Sequence, residues 1–581
     1  MYVLGLSCFY HDAAACLLRD GVPVAAASEQ AFTRKKHDES FPVHAIRWAL
    51  KEADITMDQV AVVAFYDKPM VKFERILKSH IATFPRSFGQ FVRGMPSWFS
   101  TKLRLDKLLK KEFGYVGAIT YGQHHRSHAA SAFYASGWEE STLLTVDGVG
   151  EWSTTTWGVG RGTEIEMKGE IRFPHSMGLL YSAFTSFLGF KVNSAEYKVM
   201  GLAPYGEPLY VDNIKEMFHL KEDGTFRLDM RCFEFDFGMR MYNRRFEEIM
   251  GQPTRPLESV QPTELAQYHK DVARSVQEVV NESMVKLATH VVEQSGIPRL
   301  CMAGGVALNC VANGHILREA PIEDLFVQPA AGDAGGAMGA ALWVWHELLG
   351  KPREWKMETS YLGPGYDEAT IQETLDSFGA VYHRMERQPL LDRTANLIDQ
   401  SMVVGWYQGR LEWGPRALGH RSILGDARHP EMRDIINRKI KFREGFRPFA
   451  PSVLEECVSQ YFELDRPSPY MLLVSPVNKE SIPLPAITHV DNSARIQTIN
   501  RQQDALYYDL IDTFRKQTGC GVVINTSMNV RGEPIVNTPA DAYRCFMRTH
   551  MDVLVCGPFL MMKDEQPEIE LRTAAEEFGF D

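Results

Sequence analysis

A group of histidines in the first half of the chain has the spacing of a metal-binding pair. Residues 122–130 include His124, His125 and His128. His124 and His128 are four residues apart, so on a helix both imidazoles lie on one face and can share a metal ion. His125 and His128, three residues apart, form a weaker alternative pair. The segment therefore predicts a metal-binding helix, with the choice of pair left open.

Two aspartates would complete a ligand set for a divalent metal. Asp147 directly follows an apolar strand, at the strand end where α/β proteins build their sites. Asp333 lies in a glycine-rich loop before a helix. Two histidines and two aspartates suit iron or zinc. For each aspartate alone, a turn or a helix cap is the alternative role.

Glycine-rich turns in the same half of the chain are candidates for phosphate binding. Backbone N–H groups at such turns can surround a phosphate group. The candidate positions in these turns are Gly304, Gly305, Asn309 and Gly335. Lys198, beside a turn rich in glycine and proline, would bring a cation to the phosphate, and the alternative is an ordinary surface lysine.

Basic residues in the second half of the chain alternate with aromatic residues, glycine and proline. They fall in four runs, at residues 409–422, 437–451, 491–497 and 524–532. Proline and glycine exclude a long solvated helix, and Arg and Lys in rigid turns suit phosphate and carboxylate recognition. RNA binding is the alternative. The net charge of -11 favours a small anionic ligand instead.

Strand and helix patterns alternate along the chain and predict an α/β protein. Apolar runs predict strands at residues 2–8, 22–28 and 60–66, and helical spacing predicts a long helix at 262–294. A break rich in glycine and proline at residues 350–365 predicts a domain boundary. No internal repeat is visible in the sequence.

Bulk composition is that of a globular protein with more than one domain. The chain has 581 residues, of which 45% are hydrophobic and 24% charged, and it is too long for a single core. Nine dispersed cysteines without a C-x-x-C pair argue against a disulfide framework and against a cysteine zinc site. The sequence shows neither a signal peptide nor an apolar run of membrane-spanning length. A cytoplasmic location is therefore expected.

Nine segments of the chain together resemble the NodU/CmcH/TobZ family of O-carbamoyltransferases. They lie at residues 9–15, 124–128, 146–148, 196–203, 304–309, 332–335, 414–422, 443–451 and 525–529. The resemblance extends over nearly the whole length of the chain. Met528 stands where the family pattern has phenylalanine, which is a mild departure.

The resemblance implies two α/β domains with separate tasks. Residues 1–355 are expected to adopt the ATPase fold of actin and sugar kinases, in the variant found in the tRNA threonylcarbamoylation enzyme TsaD. Residues 356–581 are expected to adopt a YrdC-like fold and to form carbamoyl adenylate from ATP and carbamoyl phosphate, with Mg²⁺ on the ATP. The first domain would then transfer the carbamoyl group to an acceptor hydroxyl.

The resemblance also assigns roles to individual residues. It implies that a metal, typically Fe²⁺, is bound by His124, His128, Asp147 and Asp333. His11 is the expected base for the acceptor hydroxyl, and Asp12 beside it is expected in the nucleotide site. In the second domain the expected catalytic residues are Arg416, Lys439, Arg495 and Ser527. The expected ligand-binding residues there are Arg421, Arg443, Arg447 and Asn525.

The sequence does not identify the acceptor. Its hydroxyl group could belong to a sugar, an aminoglycoside, a polyketide or a β-lactam precursor. Aromatic residues within 67–115 would line the acceptor pocket or pack in the core. A homodimer is expected from the family, without nucleic-acid or membrane partners. The alternative function is an ATP-dependent sugar kinase or a nucleotide-gated binding module, which would leave the basic runs after residue 400 unexplained.

Overall fold

The protein forms two compact units. The computed structural model describes residues 1–98, 102–257, 265–441, 445–569 and 571–578, without the side chains of residues 97, 439, 574 and 575. The first unit contains Met1–Glu29 and the described residues from His37 to Met357. The second contains Gln30–Lys36 and the described residues from Glu358 onward. The main division lies beside the predicted boundary at 355/356, whereas the place of Gln30–Lys36 in the second unit was not predicted.

The first unit is built on two five-stranded sheets and a small hairpin. Its strands are β1 (Tyr2–Ser7), β2 (Ala14–Arg19), β3 (Val22–Ser28), β4 (Val60–Phe65), β5 (Ala118–Tyr121), β6 (Glu140–Val146), β7 (Ser153–Arg161), β8 (Glu164–Arg172), β9 (Phe218–Leu220), β10 (Phe226–Leu228), β11 (Arg299–Ala303) and β12 (Asp324–Val327). The strand β2 was not predicted, because its small apolar residues follow the His11–Asp12 loop without a clear alternating pattern.

Helices cover these sheets and separate their strands along the chain. They are α2 (Val43–Glu52), α3 (Pro69–Thr83), α4 (Phe88–Ser97), α5 (Leu105–Phe113), α6 (His124–Ser136), α7 (Met177–Phe187), α8 (Glu196–Leu202), α9 (Val211–Met217), α10 (Arg244–Met250), α11 (Gln267–Ser295), α12 (Cys310–Glu319) and α13 (Asp333–Trp343). The predicted long helix at 262–294 corresponds to α11, which ends at Ser295 and is followed by Gly296 in the left-handed conformation common after helices. Of the helices in the described part of the chain, none is long and apolar enough to cross a membrane.

The two five-stranded sheets have the same topology. In the first, the order is β3-β2-β1-β4-β5, and in the second it is β8-β7-β6-β11-β12. In each sheet the first three strands form an antiparallel meander, and the last two run parallel to the first. This duplicated arrangement confirms the fold expected of an actin-like or sugar-kinase-like ATPase domain. The repeat is one of topology and was not visible in the sequence.

Helices α6 and α13 occupy equivalent places in the two halves, since each follows the fifth strand of its sheet. The two helices pack against each other, and small residues make this possible. A Cβ atom at Gly339 of α13 would lie 1.8 Å from the carbonyl oxygen of Ser127 in α6, so only glycine fits at that position. The close packing brings the first turns of both helices into one region.

The second unit is built on one nine-stranded mixed sheet, in the order β13-β21-β20-β14-β15-β19-β16-β18-β17. Its strands are β13 (His383–Arg384), β14 (Val404–Tyr407), β15 (Arg421–Asp426), β16 (Ala450–Leu454), β17 (Leu473–Pro476), β18 (Ser493–Ile499), β19 (Val522–Ser527), β20 (Val553–Cys556) and β21 (Phe559–Met562). Its helices are α1 (Gln30–Thr33), α14 (Glu368–Ser377), α15 (Arg387–Asp399), α16 (Met432–Ile436), α17 (Val458–Tyr461), α18 (Ala505–Thr518), α19 (Pro539–Arg548) and α20 (Ala574–Phe578). The mixed sheet with its helices confirms the predicted α/β class.

The segment Gln30–Lys36 is held in the second unit by an arginine. Arg34 donates hydrogen bonds to Glu533 Oε1 at 2.9 Å and to the carbonyl oxygen of Ile535 at 2.7 Å. Glu533 is buried, and this ion pair, together with the hydrogen bond that its Oε2 accepts from the Val530 N–H at 2.9 Å, compensates the carboxylate in the interior. The residues at the amino end of the chain therefore contribute to both units.

Candidate functional site

Four predicted metal ligands are placed by three elements of the first unit. His124 is the first residue of α6 and His128 lies one turn later, so both imidazoles share one face of the helix. Asp333 is the first residue of α13, the helix equivalent to α6 in the second sheet. Asp147 directly follows β6. The ligand atoms that these residues offer all lie within 4.8 Å of one another, and all four residues are buried.

The side chains converge with their metal-binding atoms inward. His124 Nε2 lies 2.8 Å from Asp147 Oδ2 and 3.1 Å from His128 Nε2. Both Nε2 atoms lie 3.7 Å from Asp333 Oδ1. Two imidazole nitrogens and two carboxylate oxygens in this arrangement form a donor set that suits iron or zinc.

The remaining carboxylate oxygens are held by the surrounding protein. Asp147 Oδ1 accepts a hydrogen bond from the Gly305 N–H at 2.9 Å, and Asp333 Oδ2 accepts one from the Tyr66 hydroxyl at 3.2 Å. Asp333 Oδ1 is buried and has no hydrogen-bond partner among the described residues. An unpaired buried carboxylate oxygen directed at two imidazoles fits a place for a cation. The residues present therefore fit a divalent metal, and metal binding stays a prediction.

The alternative ligand His125 is excluded by its own hydrogen bonds. Its Nδ1 lies 2.7 Å from the Thr145 hydroxyl, and its Nε2 lies 2.9 Å from the carbonyl oxygen of Ser153. Both ring nitrogens are thus engaged away from the cluster. Burial and the neighbouring His124 lower the pKa of His125 to about 3, so this imidazole is neutral. Of the two pairs left open by the sequence, only His124 and His128 face the aspartates.

The charges of the cluster affect one another strongly. Burial raises the pKa of Asp147, but hydrogen bonds with His124 and His128 outweigh burial and hold that pKa well below its ordinary value. Burial lowers the pKa of His128, but its contacts with Asp147 and Asp333 outweigh burial and raise it to about 9. In the absence of a metal, His128 is therefore protonated at neutral pH, and a metal has to displace that proton.

His11 and Asp12 lie in the loop between β1 and β2, where Asp12 joins two histidines. His11 Nδ1 lies 3.1 Å from Asp12 Oδ2, and His37 Nδ1 lies 2.8 Å from Asp12 Oδ1. Asp12 and His37 have φ values of 50° and 54°, a left-handed conformation that is uncommon for these residues. Burial lowers the pKa of His11, but Asp333 and Asp12 outweigh it and raise the pKa to about 10.

Two of the predicted glycines are required by close backbone contacts. Gly304 has a φ of 95°, and a Cβ atom there would lie 2.3 Å from the carbonyl oxygen of Val146. At Gly335 a Cβ atom would lie 2.0 Å from the carbonyl oxygen of Ala330. Both glycines thus place the loops that carry Gly305 and Asp333. These contacts explain the two glycines through packing, and a role in nucleotide binding stays a prediction.

The other two predicted nucleotide contacts of the first unit have partners within the protein. Asn309 caps α12, because its Oδ1 accepts a hydrogen bond from the Ala312 N–H at 3.1 Å. Its amide nitrogen donates to Gln277 Oε1 at 3.1 Å. Lys198 is buried, and its ammonium lies 5.5 Å from the centre of the Phe190 ring. Lys198 is therefore not the ordinary surface lysine that was the alternative interpretation.

In the second unit, Arg421 is held by contacts within the protein. It is fully buried, and its guanidinium donates hydrogen bonds to the carbonyl oxygens of Gln408, Gly409 and Pro364. The guanidinium also lies 3.8 Å from the centre of the Tyr407 ring. Its Nη donors thus support the loop, whereas its Nε is buried without a hydrogen-bond partner among the described residues, and the phosphate contact of Arg421 stays a prediction.

Glu412 organises the glycine-rich loop that precedes β15 and was not predicted as a site residue. Its Oε1 accepts hydrogen bonds from the backbone N–H groups of Leu418, His420 and Arg421, at 2.8, 2.9 and 3.1 Å. A buried carboxylate that accepts three backbone hydrogen bonds fixes the loop conformation. Arg416 lies in the same loop, is half-buried, and interacts with other residues of the protein.

Three predicted residues, Arg495, Asn525 and Ser527, share one face of the nine-stranded sheet with Gln497, which was not predicted. We call these four residues the sheet-face cluster. Alternate residues of a strand point to the same face, so Asn525 and Ser527 of β19 form one pair and Arg495 and Gln497 of β18 form another. The Asn525 amide donates to Gln497 Oε1 at 2.8 Å, which joins the pairs. Asn525 Oδ1 and Arg495 Nε are buried and lack hydrogen-bond partners within the described residues.

The glycine-rich loop reaches the same face, since Gln497 Nε2 donates to the carbonyl oxygen of Leu418 at 2.7 Å. Lys441 reaches it too, although it was not predicted as a site residue. Its ammonium lies 2.8 Å from Asn529 Oδ1 and 3.4 Å from the Ser527 hydroxyl. The only signal for Lys441 in the sequence was its place in the basic run 437–451, where several cations were equally plausible.

The structure describes the other predicted cations of that run, Lys439, Arg443 and Arg447, only in part. Lys439 lies in a short π-helical turn, Asn437–Lys441, but its side chain is outside the described part of the structure. Arg443 lies outside the described residues altogether. Arg447 is half-buried and interacts with other residues of the protein. Their roles stay predictions.

Comparison with known proteins gives one consistent result. Residues 2–342 match the family described as Carbamoyltransferase N-terminus, and residues 395–563 match Carbamoyltransferase C-terminus. Uncharacterized protein sll1178 of Synechocystis sp. is 49% identical, over 98% of either chain. Nodulation protein NolNO of Sinorhizobium fredii is 39% identical, over 96% of this chain and 79% of its own length.

An enzyme with a named activity matches over a shorter stretch. The 3'-hydroxymethylcephem-O-carbamoyltransferase of Streptomyces clavuligerus is 35% identical, over 44% of this chain and 47% of its own length. The two family matches cover most of the chain and agree with the resemblance carried by its motifs. The chain therefore belongs to the carbamoyltransferase family of enzymes.

Proposed function

We propose that the protein is an ATP-dependent O-carbamoyltransferase. It would form carbamoyl adenylate from ATP and carbamoyl phosphate, and then transfer the carbamoyl group to a hydroxyl of a small acceptor. The observation that carries this proposal is the presence of both carbamoyltransferase parts in one chain, one with the four-residue ligand cluster and one with the sheet-face cluster. A kinase or a nucleotide-gated binding module would require only the first part.

Adenylate formation needs positive charge and an oriented carbamoyl group. ATP and carbamoyl phosphate are both polyanions, and Arg495 and Lys441 supply cations at the sheet-face cluster. Asn525 Oδ1 is a buried acceptor with no hydrogen-bond partner in the part of the chain that the structure describes, and the NH₂ of a carbamoyl group is a donor that suits it. The Ser527 hydroxyl lies two residues away on the same strand face. These residues support the second unit as the place where the adenylate forms.

The intermediate would protect the carbamoyl group from a side reaction. Carbamoyl phosphate in water can lose a proton and collapse to cyanate, whereas an enclosed adenylate is kept from water and retains a good leaving group. Activation would consume one water molecule, which releases phosphate from carbamoyl phosphate, and the carbamate oxygen would then displace pyrophosphate from the α-phosphate of ATP. Transfer of the carbamoyl group to the acceptor hydroxyl would leave AMP. A divalent metal held by His124, His128, Asp147 and Asp333 would supply Lewis-acid chemistry at the transfer site.

His11 is the group of the first unit that would take the proton of the acceptor hydroxyl. His11 Nδ1 lies 3.1 Å from Asp12 Oδ2, so the other ring nitrogen, Nε2, is left for the proton transfer. The negative charges of Asp333 and Asp12 keep His11 protonated at neutral pH, and a protonated imidazole is not a base. The base role therefore requires that the charge of the aspartates be compensated by a cation.

A pyrophosphate-release assay tests the proposal. The full-length, metal-loaded protein is mixed with ATP, Mg²⁺ and carbamoyl phosphate, and each component is omitted in turn. Pyrophosphate release that depends on carbamoyl phosphate is the expected result, followed by a mass gain of one carbamoyl group on a hydroxylated acceptor. ADP formation without any requirement for carbamoyl phosphate would contradict the proposal and favour the sugar kinase.

A further inference from the structure

A cavity of about 200 Å³ lies in the first unit, beside the candidate metal centre. Its walls include Phe9 and Tyr10 from the loop after β1, Lys72 and Arg75 from α3, and the side chains of Trp98 and Lys102. Aromatic rings and three cations thus face one small space. An ordinary packing defect is lined without charged side chains, whereas the largely apolar lining of this cavity also includes these three cations and Asp67.

Tyr10 and Tyr66 connect this cavity with the residues proposed for transfer. Tyr10 directly precedes His11 in the loop after β1. The ammonium of Lys72 lies 5.3 Å from the centre of the Tyr10 ring and 5.8 Å from that of Tyr66. The Tyr66 hydroxyl in turn donates to Asp333 of the ligand cluster. A molecule in the cavity would therefore be close to the base and to the metal ligands.

The positive charges of the cavity exceed the negative ones. Lys72 is paired with Asp67, at 2.9 Å. Arg75 is only 7% exposed, and in the described part of the chain its guanidinium has neither a hydrogen bond nor an ion pair. The Arg75 guanidinium lies 4.9 Å from the centre of the Phe173 ring. Lys102, which lies 5.5 Å from the Trp98 ring, likewise has no ion pair within the described residues.

The acidic groups near these two cations, which are Glu151 and Asp67 near Arg75 and Glu39 and Asp67 near Lys102, act on them through space but form no ion pair with them within the described residues. The Glu151 carboxylate accepts hydrogen bonds from the backbone N–H groups of His124, at 3.0 Å, and Lys68, at 2.9 Å. Asp67 is already paired with Lys72. A buried guanidinium without a partner is strongly unfavourable. The protein therefore retains Arg75 at a position where an anion from outside the chain would complete its hydrogen bonds.

We propose that this cavity binds the acceptor, and that the acceptor carries an oxyanion beside an apolar portion. This inference rests on the proposed function. Arg75 and Lys102 would bind the carboxylate, sulfate or phosphate group, while Phe9 and Trp98 contact the apolar portion and the hydroxyl extends toward His11. The acceptor class is thus a hydroxylated organic acid, rather than a neutral sugar or a polyamine.

A nucleotide is the other source of an oxyanion, and the cavity suits it poorly. The volume of about 200 Å³ is small for a ribose, a base and phosphates together. The lining is largely aromatic and aliphatic, and it contains none of the glycine-rich turns at residues 304–305 and 332–336. The shape and chemistry fit one charged group with a short apolar portion.

Calorimetric titration of the metal-loaded, full-length protein tests the inference without catalysis. The probes are benzoate, phenyl sulfate and phenyl phosphate, each compared with neutral benzyl alcohol. At least one oxyanion is expected to bind tenfold or more tightly than benzyl alcohol. The Arg75→Gln variant is expected to weaken that binding by about 10- to 100-fold, the usual effect of losing a charge-assisted hydrogen bond. Equal affinity for neutral and anionic probes would overturn the inference.

Two further variants keep the result interpretable. Lys78→Gln changes an exposed lysine of the same helix, which pairs with Glu74, and is expected to leave probe binding unchanged. Arg75→Met removes the unpaired charge and keeps the aliphatic stem, so its melting temperature without ligand is expected to equal or exceed that of the wild type. A large drop in that temperature would show that Arg75 serves stability instead, and would overturn the inference.

The source of the anion is decided by competition. AMP and pyrophosphate are expected not to displace the aromatic oxyanion, and displacement that depends on Arg75 would assign the cavity to the nucleotide. Failure here is distinguishable from failure of the proposed function. If pyrophosphate release depends on carbamoyl phosphate but no oxyanion binds, only the acceptor class is wrong. If an oxyanion binds but pyrophosphate release is absent, the proposed activity is wrong.

Discussion

His124, His128, Asp147 and Asp333 differ from their neighbour His125 in where their polar atoms point. The four metal-binding atoms face one another, whereas both nitrogens of His125 contact Thr145 and Ser153. Spacing alone left two histidine pairs open, because residues three and four apart share a helix face. The hydrogen bonds of β6 and β7 with His125 decide between them, and these depend on strand pairing that is not written in the local sequence.

Replacement of His128 tests the metal site at the residue scale. His128→Ala is expected to weaken metal binding at least tenfold, because one of four ligand atoms is lost. Metal content after purification and a Co²⁺ titration followed by absorbance would measure the change. His125→Gln is the matched control, with its metal content expected to equal that of the wild type. Unchanged metal content in His128→Ala would remove His128 from the ligand set.

Metal affinity is also expected to depend on pH. His128 has a pKa of about 9, raised above the ordinary value of 6.5, so below pH 9 each bound metal ion displaces a proton from it. The dissociation constant for Co²⁺ is therefore expected to fall about tenfold per pH unit up to about pH 9 and then level off. An affinity independent of pH between 6.5 and 9 would contradict this assignment.

The raised pKa of His128 also makes the stability of the metal-free protein depend on pH. Because the folded-state pKa of His128 is raised, its protonated form stabilises the fold fully below pH 6.5, and this stabilisation is lost as the pH rises through about 9. Removal of the metal should therefore be tolerated better at pH 6 than at pH 9. Metal-loaded protein should lack this dependence, since the proton has already been displaced.

In the second unit, the sequence predicts which residues are charged better than it predicts what those residues contact. The basic runs predicted an anion site in this unit, and Arg495, Asn525 and Ser527 share one sheet face there, but anion binding stays a prediction. Arg421 was predicted as a ligand contact; its Nη donors bind backbone carbonyls, and its Nε has no hydrogen-bond partner among the described residues. Lys441 was not distinguished from its neighbours in the same run. The charge of a residue is known from the sequence, but its burial and its hydrogen-bond partners depend on strand register and loop conformation.

At the element scale, the candidate metal centre arises from the duplication of one topology. His124 and Asp333 are the first residues of the equivalent helices α6 and α13. His11 lies in the loop between β1 and β2, and Asp147 lies in the loop between β6 and β7, which is the equivalent loop of the other sheet. The alternation of strands and helices predicted the α/β class from the sequence. The repeat was missed because equivalent positions carry different residue types.

The start of α13 can be tested by two neighbouring glycines. Gly335→Ala places a Cβ atom 2.0 Å from the Ala330 carbonyl oxygen, so the first turn that positions Asp333 must shift. We expect a loss of about 1–3 kcal/mol in unfolding free energy and weaker metal binding. Gly332→Ala is the matched control, because it has open space around it and a φ of -73°. Equal effects of both changes on metal binding would contradict the proposed role of this turn.

At the scale of the whole molecule, the two units are not consecutive pieces of the chain. Gln30–Lys36 belongs to the second unit, where Arg34 binds Glu533. A fragment of residues 1–355 would therefore contain this segment without the residues that hold it. The break in composition predicted a boundary at 355/356, and the main division of the compact units lies at Met357/Glu358, but a seven-residue exchange has no compositional signature. For this reason the two half-reactions are best separated by point variants of the full-length protein.

The most direct test of the account is mass spectrometry of carbamoyl adenylate in such variants. His128→Ala protein, given ATP, Mg²⁺, carbamoyl phosphate and no acceptor, is expected to release pyrophosphate and accumulate carbamoyl adenylate, because only the transfer site is damaged. Arg495→Ala protein, with the first unit intact, is expected to form neither product. Adenylate in both variants, or in neither while the wild type forms it, would contradict the assignment of activation to the second unit and transfer to the first.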